Sequence, residues 1–178
     1  MLSCYLVVEQ KYTKMKHITL KDLRTFEGKL QSKGLTIADL GFYFTTTNDS
    51  PLLPVNKFKI FAETGGNNVH YCYTEDDNEN CDGVFLCVPA APKIIYLGEN
   101  LREFLSVGCI YGFGDLENLA FEFDSTIEEI RNASLADLSE DEEEALSLLQ
   151  EEFKISPPVD LKKNLMELQD KLSKVTRV

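Results

Sequence analysis

The spacing of hydrophobic and polar residues predicts a helix near the start of the chain. Between a suitable N-cap at Thr19 and a stop at Gly34, apolar residues recur at intervals of three and four, which is typical of a helix with one buried face. They are Leu20, Leu23, Phe26 and Leu30. Before this helix, a rough alternation of β-branched and aromatic residues over residues 2–12 predicts a strand or an N-terminal arm.

A series of short segments after the helix predicts a sheet. The segments are rich in β-branched and aromatic residues and are bounded by turn-forming residues. They cover residues 35–47, 55–62, 69–74, 83–88 and 93–97. Gly65 and Gly66 can adopt positive φ, so they permit a tight turn between the second and third segments. Along the third segment, alternate side chains should point to opposite faces of the sheet, with Tyr71 on one face and His70 and Cys72 on the other.

Helical spacing returns in the second half of the chain. Asn100 is suited to cap one helix, and Ser139 followed three residues later by Glu142 resembles a capping box that begins another. After Pro157 and Pro158, leucines repeat at intervals of four, three and four, which predicts a last amphipathic helix. These leucines are Leu161, Leu165, Leu168 and Leu172.

The order of these segments indicates the fold class. Strands and helices are segregated along the chain, and such segregation is typical of an α+β fold. We therefore expect a central, mostly antiparallel sheet flanked by helices, followed by a C-terminal helical region. Residues 1–120 are predicted to form the α+β core, and residues 121–178 are predicted to form acidic and amphipathic helices packed on that core. A chain of 178 residues can bury such a core without a disulfide or a metal.

Charge narrows the class of partner. Eighteen Lys and Arg against thirty Asp and Glu give a net charge of -12, which disfavours a nucleic-acid binder because such proteins neutralise phosphates with basic residues. Residues 122–152 hold twelve of the acidic residues and a single basic one, Arg131. Such a concentration of negative charge can attract a basic protein partner and speed its association.

Cysteine usage and hydropathy indicate the compartment. The five cysteines are odd in number and scattered, which argues against the disulfide framework of a secreted protein. They are Cys4, Cys72, Cys81, Cys87 and Cys109. No segment approaches the roughly 18–20 apolar residues that span a bilayer, and the apolar N-terminal residues lack the preceding basic residues of a secretory signal. A cytoplasmic protein that does not bind membranes is therefore predicted.

The sequence predicts no catalytic, cofactor or metal site. His70 and Cys72 could form a nucleophilic pair on one strand, but the sequence offers no third group to orient the histidine. Adding Cys81 and Cys87 gives four candidate zinc ligands that lack the close Cys-x-x-Cys spacing of a compact site. The glycine-rich turn lacks the Lys and Ser/Thr of a phosphate loop, and the carboxylates of residues 75–82 lack the pattern of a calcium loop.

The candidate functional residues are therefore those of a protein-binding surface. One acidic cluster lies in a predicted hairpin loop and a second lies at the start of a predicted helix, and both are suited to meet a basic partner. Phe113, between two glycines, could be exposed as an aromatic contact. The plainer interpretation is a solvated loop, a charged helix start and a packed aromatic. The acidic candidates are Glu75, Asp76, Asp77 and Glu79 in the loop, and Glu140, Asp141, Glu142 and Glu143 at the helix start.

Three stretches share their order and spacing with a known family. They are FAETGGNNVHYCY at residues 61–73, GVFLCVPAAPKIIYLGENLREFLSVGCIYGFGDLENL at residues 83–119, and LLQEEFKISPPVDLKKNLMELQDKL at residues 148–172. The first is similar to the Thr-Gly-Gly and Val-His-aromatic segment of bacterial proteins related to the SMI1/KNR4 family, within the SUKH superfamily. The second resembles their strand, Pro, strand and helix, and the third resembles their C-terminal helix, Pro break and helix. Asn67 and Asn68 depart from the Asp and Gly that relatives usually carry.

The resemblance implies an α+β binding module without catalytic machinery. Many such bacterial proteins resemble immunity proteins, which bind and neutralise a toxin domain, often a nuclease, delivered between competing cells. Others of the superfamily are thought of as scaffolds in signalling or morphogenesis. Together with the acidic charge, the resemblance favours a non-enzymatic immunity protein for a basic toxin domain, without a cofactor, as a monomer or a weak homodimer.

Two alternatives remain open. A regulatory scaffold would use the leucines of residues 161–172 to pair with another helix or with a second copy, although two heptads are short for a coiled coil and packing on the chain's own sheet is favoured. A thiol hydrolase would use Cys72 as nucleophile and His70 as base.

Overall fold

A computed structural model describes residues 17–46, 58–75, 81–133 and 137–175, so the strand or arm predicted for residues 2–12 lies outside the described residues. The described ranges form one five-stranded antiparallel sheet, five α-helices and two 3₁₀ helices, which confirms the α+β fold. None of the helices in these ranges is long and apolar enough to span a membrane. The strands are β1 (Tyr43–Phe44), β2 (Lys59–Glu63), β3 (His70–Glu75), β4 (Cys81–Val88) and β5 (Lys93–Gly98). The helices are α1 (Leu20–Gln31), α2 (Leu101–Gly108), α3 (Phe123–Asn132), α4 (Glu140–Phe153) and α5 (Leu161–Val175), with 3₁₀ helices at Ile37–Leu40 and Gly114–Ala120.

The sheet is a meander in the order β1-β2-β3-β4-β5, and each strand pairs antiparallel with the next. Side chains at paired positions therefore form rows across the sheet. Two adjacent rows cross all five strands and point to opposite faces. One row is Tyr43, Glu63, His70, Cys87 and Ile94, and the other is Phe44, Ala62, Tyr71, Leu86 and Ile95.

The two faces of the sheet bury different side chains. The face that carries Tyr71 packs against helical residues in the main hydrophobic core. On the opposite face, Cys72 and Cys87 are fully buried beside partly buried apolar side chains of the neighbouring strands. The alternation predicted for residues 69–74 is therefore confirmed.

The strand predicted for residues 35–47 is mostly wrong. Its first half forms the first 3₁₀ helix, because Thr36 and Asp39 make a capping box in which the Asp39 carboxylate accepts a hydrogen bond from the Thr36 N–H at 2.6 Å. Gly41 then adopts a left-handed conformation at φ 90° and ends this helix. The extended part is reduced to the two residues of β1.

Phe113 is a core residue, so its prediction as an exposed contact is wrong. Its ring is fully buried and lies 5.3 Å from the Phe42 ring and 4.9 Å from the Phe104 ring, measured between centroids. The Tyr71 hydroxyl donates a hydrogen bond to the Phe113 carbonyl. Gly108 makes room for the ring, because a Cβ there would lie 2.6 Å from the ring's Cζ. The Phe113 ring therefore points into the core and not toward solvent.

The C-terminal helices are held on the rest of the fold by polar as well as apolar contacts. Gln150 of α4 donates a hydrogen bond from Nε2 to the Cys109 carbonyl at 2.6 Å, and Arg102 donates from Nη1 to the Phe153 carbonyl at 2.8 Å. Helix α5 packs along β5 and α3. Its buried leucines belong to the same core as the sheet, and they are Leu161, Leu165 and Leu168.

One side chain of α5 closes the outer edge of β5. The Tyr96 N–H donates a hydrogen bond to Gln169 Oε1 at 3.0 Å, and Gln169 Nε2 donates one to the Tyr96 carbonyl at 2.8 Å. Because β5 is the last of the described strands, these outward backbone groups have no strand in the described ranges to pair with. The amide of Gln169 satisfies both of them.

Candidate protein-binding surface

A small acidic cavity lies where the two 3₁₀ helices and the N-terminal turn of α4 meet. Its volume is about 80 Å³, and glycine backbone, three leucines, two aromatic residues and three carboxylates line it. The aromatic residues are Tyr111 and the buried Phe113, and the carboxylates are those of Asp39, Asp115 and Glu142. Each carboxylate comes from a different helix, so only the folded chain brings them together.

The Tyr111 hydroxyl lies in the field of a wider set of carboxylates. Burial first, and then the negative charges of four carboxylates, raise the pKa of Tyr111 above its ordinary value, because both disfavour the phenolate. In decreasing order of effect these are Asp115, Asp137, Glu129 and Glu142. We use the name acidic face for Tyr111 together with Asp39, Asp115, Glu129, Asp137 and Glu142.

Helix caps place two of these carboxylates. Asp39 is held in the capping box with Thr36 described above. Glu142 is held in the same way, because its Oε2 accepts a hydrogen bond from the Ser139 N–H at 2.8 Å, which confirms the capping box predicted at Ser139. Both carboxylates are therefore fixed by backbone bonds.

A close approach of two glycines holds the first 3₁₀ helix against the second. A Cβ on Gly41 would collide with the backbone nitrogen of Gly114 and would lie 2.9 Å from its Cα. Beside this contact, the Phe113 N–H donates a hydrogen bond to the Leu40 carbonyl at 2.8 Å. The cavity is therefore built on tightly packed backbone.

The acidic cluster predicted at the start of α4 lies next to this cavity. Glu142 lines the cavity, whereas Glu140, Asp141 and Glu143 are exposed on the same turn and make no ion pair with any side chain that the structure describes. The positive end of the helix dipole stabilises carboxylates at this position. Further along α4, basic residues in the last turn of α1 and just after it do compensate the charge, through Lys29–Glu152 at 2.6 Å and Lys33–Glu144 at 3.5 Å. The uncompensated charge of α4 is therefore concentrated in its first turn and at Glu151.

The acidic cluster predicted in the hairpin loop is described only at its first residue. Glu75 ends β3, and its carboxylate accepts hydrogen bonds from Lys59 Nζ at 2.5 Å and from the Tyr73 hydroxyl at 3.1 Å. It lines a different cavity, of about 210 Å³, beside the start of α1. Because its charge is already paired, Glu75 is a weaker attractor for a basic partner than the α4 cluster. The other three predicted residues lie outside the described residues, and they are Asp76, Asp77 and Glu79.

Several members of the acidic face were missed at the sequence level. The spacing of Thr36 and Asp39 is that of a capping box, and this signal could have identified the helix that places Asp39. Tyr111, Asp115 and Glu129 have no comparable local signal. They belong to a turn, a 3₁₀ helix and an α-helix that meet only through tertiary packing.

His70 and Cys72 lie on one face of β3, and no hydrogen bond among the described residues joins the Cys72 thiol to the His70 ring. The Cys72 thiol donates to the His70 backbone carbonyl at 3.8 Å, and Nδ1 of the buried ring has no hydrogen-bond partner within the part of the chain that the structure describes. A hydrogen bond with Cys87, and then burial, raise the pKa of Cys72, whereas an attacking thiol needs a lowered pKa. Within the described ranges, no group of three or more His, Cys, Asp or Glu could hold a metal ion.

The four thiols that the structure describes, those of Cys72, Cys81, Cys87 and Cys109, should react slowly with iodoacetamide near neutral pH in the folded protein. Burial raises the pKa of Cys81 and of Cys109 to about 11, so little thiolate is present at pH 7. Because these folded-state values exceed the ordinary 9.0, the stability linked to both thiols is complete below pH 9.0 and is lost as the pH rises toward 11. Peptide mapping by mass spectrometry measures each rate, with the urea-unfolded chain as control. Rapid labelling of Cys72 in the folded protein would instead favour the thiol hydrolase.

Comparison with known proteins adds no relative. No family model matches the chain, no curated protein matches it, and no solved structure matches it. Function is therefore inferred from the charge, the geometry and the sequence pattern of the chain itself.

Proposed function

We propose that this chain is a non-enzymatic protein-binding module, an immunity protein that binds and neutralises a basic toxin domain, such as a nuclease, in the cytoplasm. The observation that carries the proposal is the acidic face, where five carboxylates from five segments of the chain converge around Tyr111. The resemblance of residues 61–73, 83–119 and 148–172 to the SMI1/KNR4 family supports the same function.

The acidic face is suited to this role because its charge is both concentrated and ordered. A field of one sign steers a basic protein toward association rates on the order of 10⁸ M⁻¹s⁻¹ at low salt. Carboxylates that are already fixed by helix caps lose little further freedom on binding. Tyr111 adds a partly exposed aromatic ring of the kind that supplies affinity at protein interfaces.

The direct test is recovery and inhibition of a toxin. The tagged full chain is used to capture partners from lysates of the source cells and of competing strains, at about 50 and about 500 mM salt. We expect a basic toxin-like protein that elutes more readily at high salt and whose activity the purified chain inhibits. Recovery of signalling or wall-building proteins, without inhibition of any toxin, would contradict the immunity role.

Reversing one charge of the acidic face should slow association with that toxin. Asp115→Lys is expected to lower the association rate constant about tenfold at low salt, because it changes the local charge by two units on an exposed position of the face. Asp170→Lys makes the same charge change at an exposed position of α5 and serves as the matched control. Stopped-flow kinetics measures both rates. An equal effect of the two variants would show that net charge, and not the acidic face, drives association.

A regulatory scaffold is the second candidate function, and no feature of the structure favours it. The leucine stripe that suggested pairing with another helix is buried in the chain's own core at Leu161, Leu165 and Leu168. A light-scattering mass that rises with concentration would favour self-association by another surface.

A further inference from the structure

A second cavity, the Phe121 cleft, lies between the end of the second 3₁₀ helix and α3. Its volume is about 300 Å³. It combines one aromatic ring, two carboxylates and two neutral polar side chains, and the residues are Asn118, Phe121, Glu122, Thr126 and Glu129. The cleft is continuous in charge with the acidic face, because Glu129 belongs to both.

The Phe121 ring is presented to solvent by a rigid turn. Its side chain is 55% exposed, and it is one of four large hydrophobic side chains exposed in the described ranges. The Asn118 carbonyl accepts hydrogen bonds from the Phe121 N–H at 3.0 Å and from the Glu122 N–H at 2.9 Å. On the α3 side, the Thr126 hydroxyl donates to the Glu122 carbonyl at 2.7 Å. Because its backbone is fixed on both sides, the cleft needs little ordering when it binds a ligand.

The carboxylates that line the cleft are the ones that neighbouring cations leave unpaired. On the same helix, Asp124 pairs with Lys162 at 2.8 Å and Glu128 pairs with Arg131 at 3.1 Å. Among the described residues, Glu129 makes no ion pair, and the Glu122 carboxylate is bonded only to the nearby Ser125 hydroxyl at 3.0 Å. No basic residue in the described ranges occupies this cleft, so its carboxylates are open to a cation from a partner.

We propose that the Phe121 cleft binds an arginine side chain of the protein partner. The proposal rests on the proposed function and names the chemical group that the partner presents there. A guanidinium can stack on the Phe121 ring while its donors bond to the carboxylates of Glu122 and Glu129. Arginine fits better than lysine, because its guanidinium is planar, weakly hydrated and forked, whereas an ammonium is a compact and strongly hydrated charge.

Peptide probes test this specificity on the full chain. Three hexapeptides are titrated by calorimetry and by NMR of the ¹⁵N-labelled protein, one of arginine, one of lysine and one of citrulline, which has the shape of arginine without its charge. We expect the arginine peptide to bind tightest and to shift the amide signals around Phe121 and Glu129. Phe121→Ala should weaken the arginine peptide about two- to fivefold and the lysine peptide less, because an exposed cation–π contact is of that size.

Neighbouring residues of α3 provide the matched control. Glu129→Gln and Glu128→Gln change the net charge equally and occupy adjacent exposed positions, but only Glu129 lines the cleft. We expect the first variant to weaken binding of the arginine peptide clearly more than the second. Equal losses, or an arginine-to-lysine preference that survives Phe121→Ala, would overturn the proposal. Circular dichroism confirms that each variant is folded.

The outcomes separate this inference from the proposed function. If the arginine peptide depends on the cleft but no toxin is recovered or inhibited, the immunity role is wrong and the cleft stands. If a toxin is inhibited and Phe121→Ala leaves its affinity unchanged, the immunity role stands and the cleft is wrong.

Discussion

Phe113→Ala should lower the free energy of unfolding by about 3–5 kcal/mol, the usual cost of truncating a buried Phe. The ring is fully buried between Phe42 and Phe104, and Gly108 is shaped to its edge, so the lost contacts cannot easily be replaced. A rigid backbone surrounds the site, because the Phe113 N–H and carbonyl bond to Leu40 and to the Tyr71 hydroxyl. The void that Phe113→Ala leaves in the core should therefore remain largely unfilled.

Urea denaturation followed by circular dichroism measures the loss as a shift of the midpoint. Phe121→Ala is the matched control, since it removes the same ring from an exposed position and should change the free energy of unfolding by less than about 0.5 kcal/mol. Similar stabilities for the two variants would show that Phe113 is not part of the core.

Gly41→Ala should destabilise the protein much more than Gly34→Ala, although both glycines are left-handed. Their φ angles are 90° and 85°, so the conformational strain of an alanine is the same, about 1–2 kcal/mol. A Cβ on Gly34 meets nothing within 4 Å, whereas a Cβ on Gly41 meets the backbone of Gly114. Overpacking of this kind costs a further 1–3 kcal/mol, roughly, because two backbone segments must separate.

The same denaturation experiment measures this pair. The difference between the two variants isolates the close approach of the 3₁₀ helices from the shared strain. Because that approach forms the floor of the acidic face, Gly41→Ala should also weaken the toxin complex, whereas Gly34→Ala should leave its affinity unchanged. Equal losses of stability would mean that the two segments separate at little cost.

Local patterns predicted the elements whose contacts are local. The three- and four-residue spacing after Thr19 predicted α1, and the capping signals at Asn100 and Ser139 predicted the starts of α2 and α4, because caps and apolar stripes are written within a few residues. The hairpin of β2 and β3 followed from its glycine turn. In the structure, Asn67 and Asn68 share the left-handed conformations of that turn with Gly65.

The two wrong predictions have different causes. The aromatic run after Leu35 favoured a strand, but the local capping box of Thr36 and Asp39 imposes a 3₁₀ helix. The glycines beside Phe113 suggested that its ring is exposed. The ring is instead buried against Gly108, and this contact is not visible in the local sequence.

The candidate surface was predicted only in part, because some of its residues come together only when separate helices pack. The carboxylates of α4 were visible as a run in the sequence, whereas Asp115 and Glu129 join them through the packing of separate helices. Sequence reasoning could therefore identify the sign of the surface, and the fold was needed to define its members.

The hydrogen bonds between Gln169 of α5 and Tyr96 affect how the edge of the sheet can interact with other strands. The two backbone groups of Tyr96 that Gln169 occupies are those to which another strand would bond, so its amide blocks strand addition at this position of β5. Cleavage of the chain before α5 would expose a border to which β-strands of other molecules can add. We therefore expect α5 to hinder the association of molecules through the edge of β5 at Tyr96.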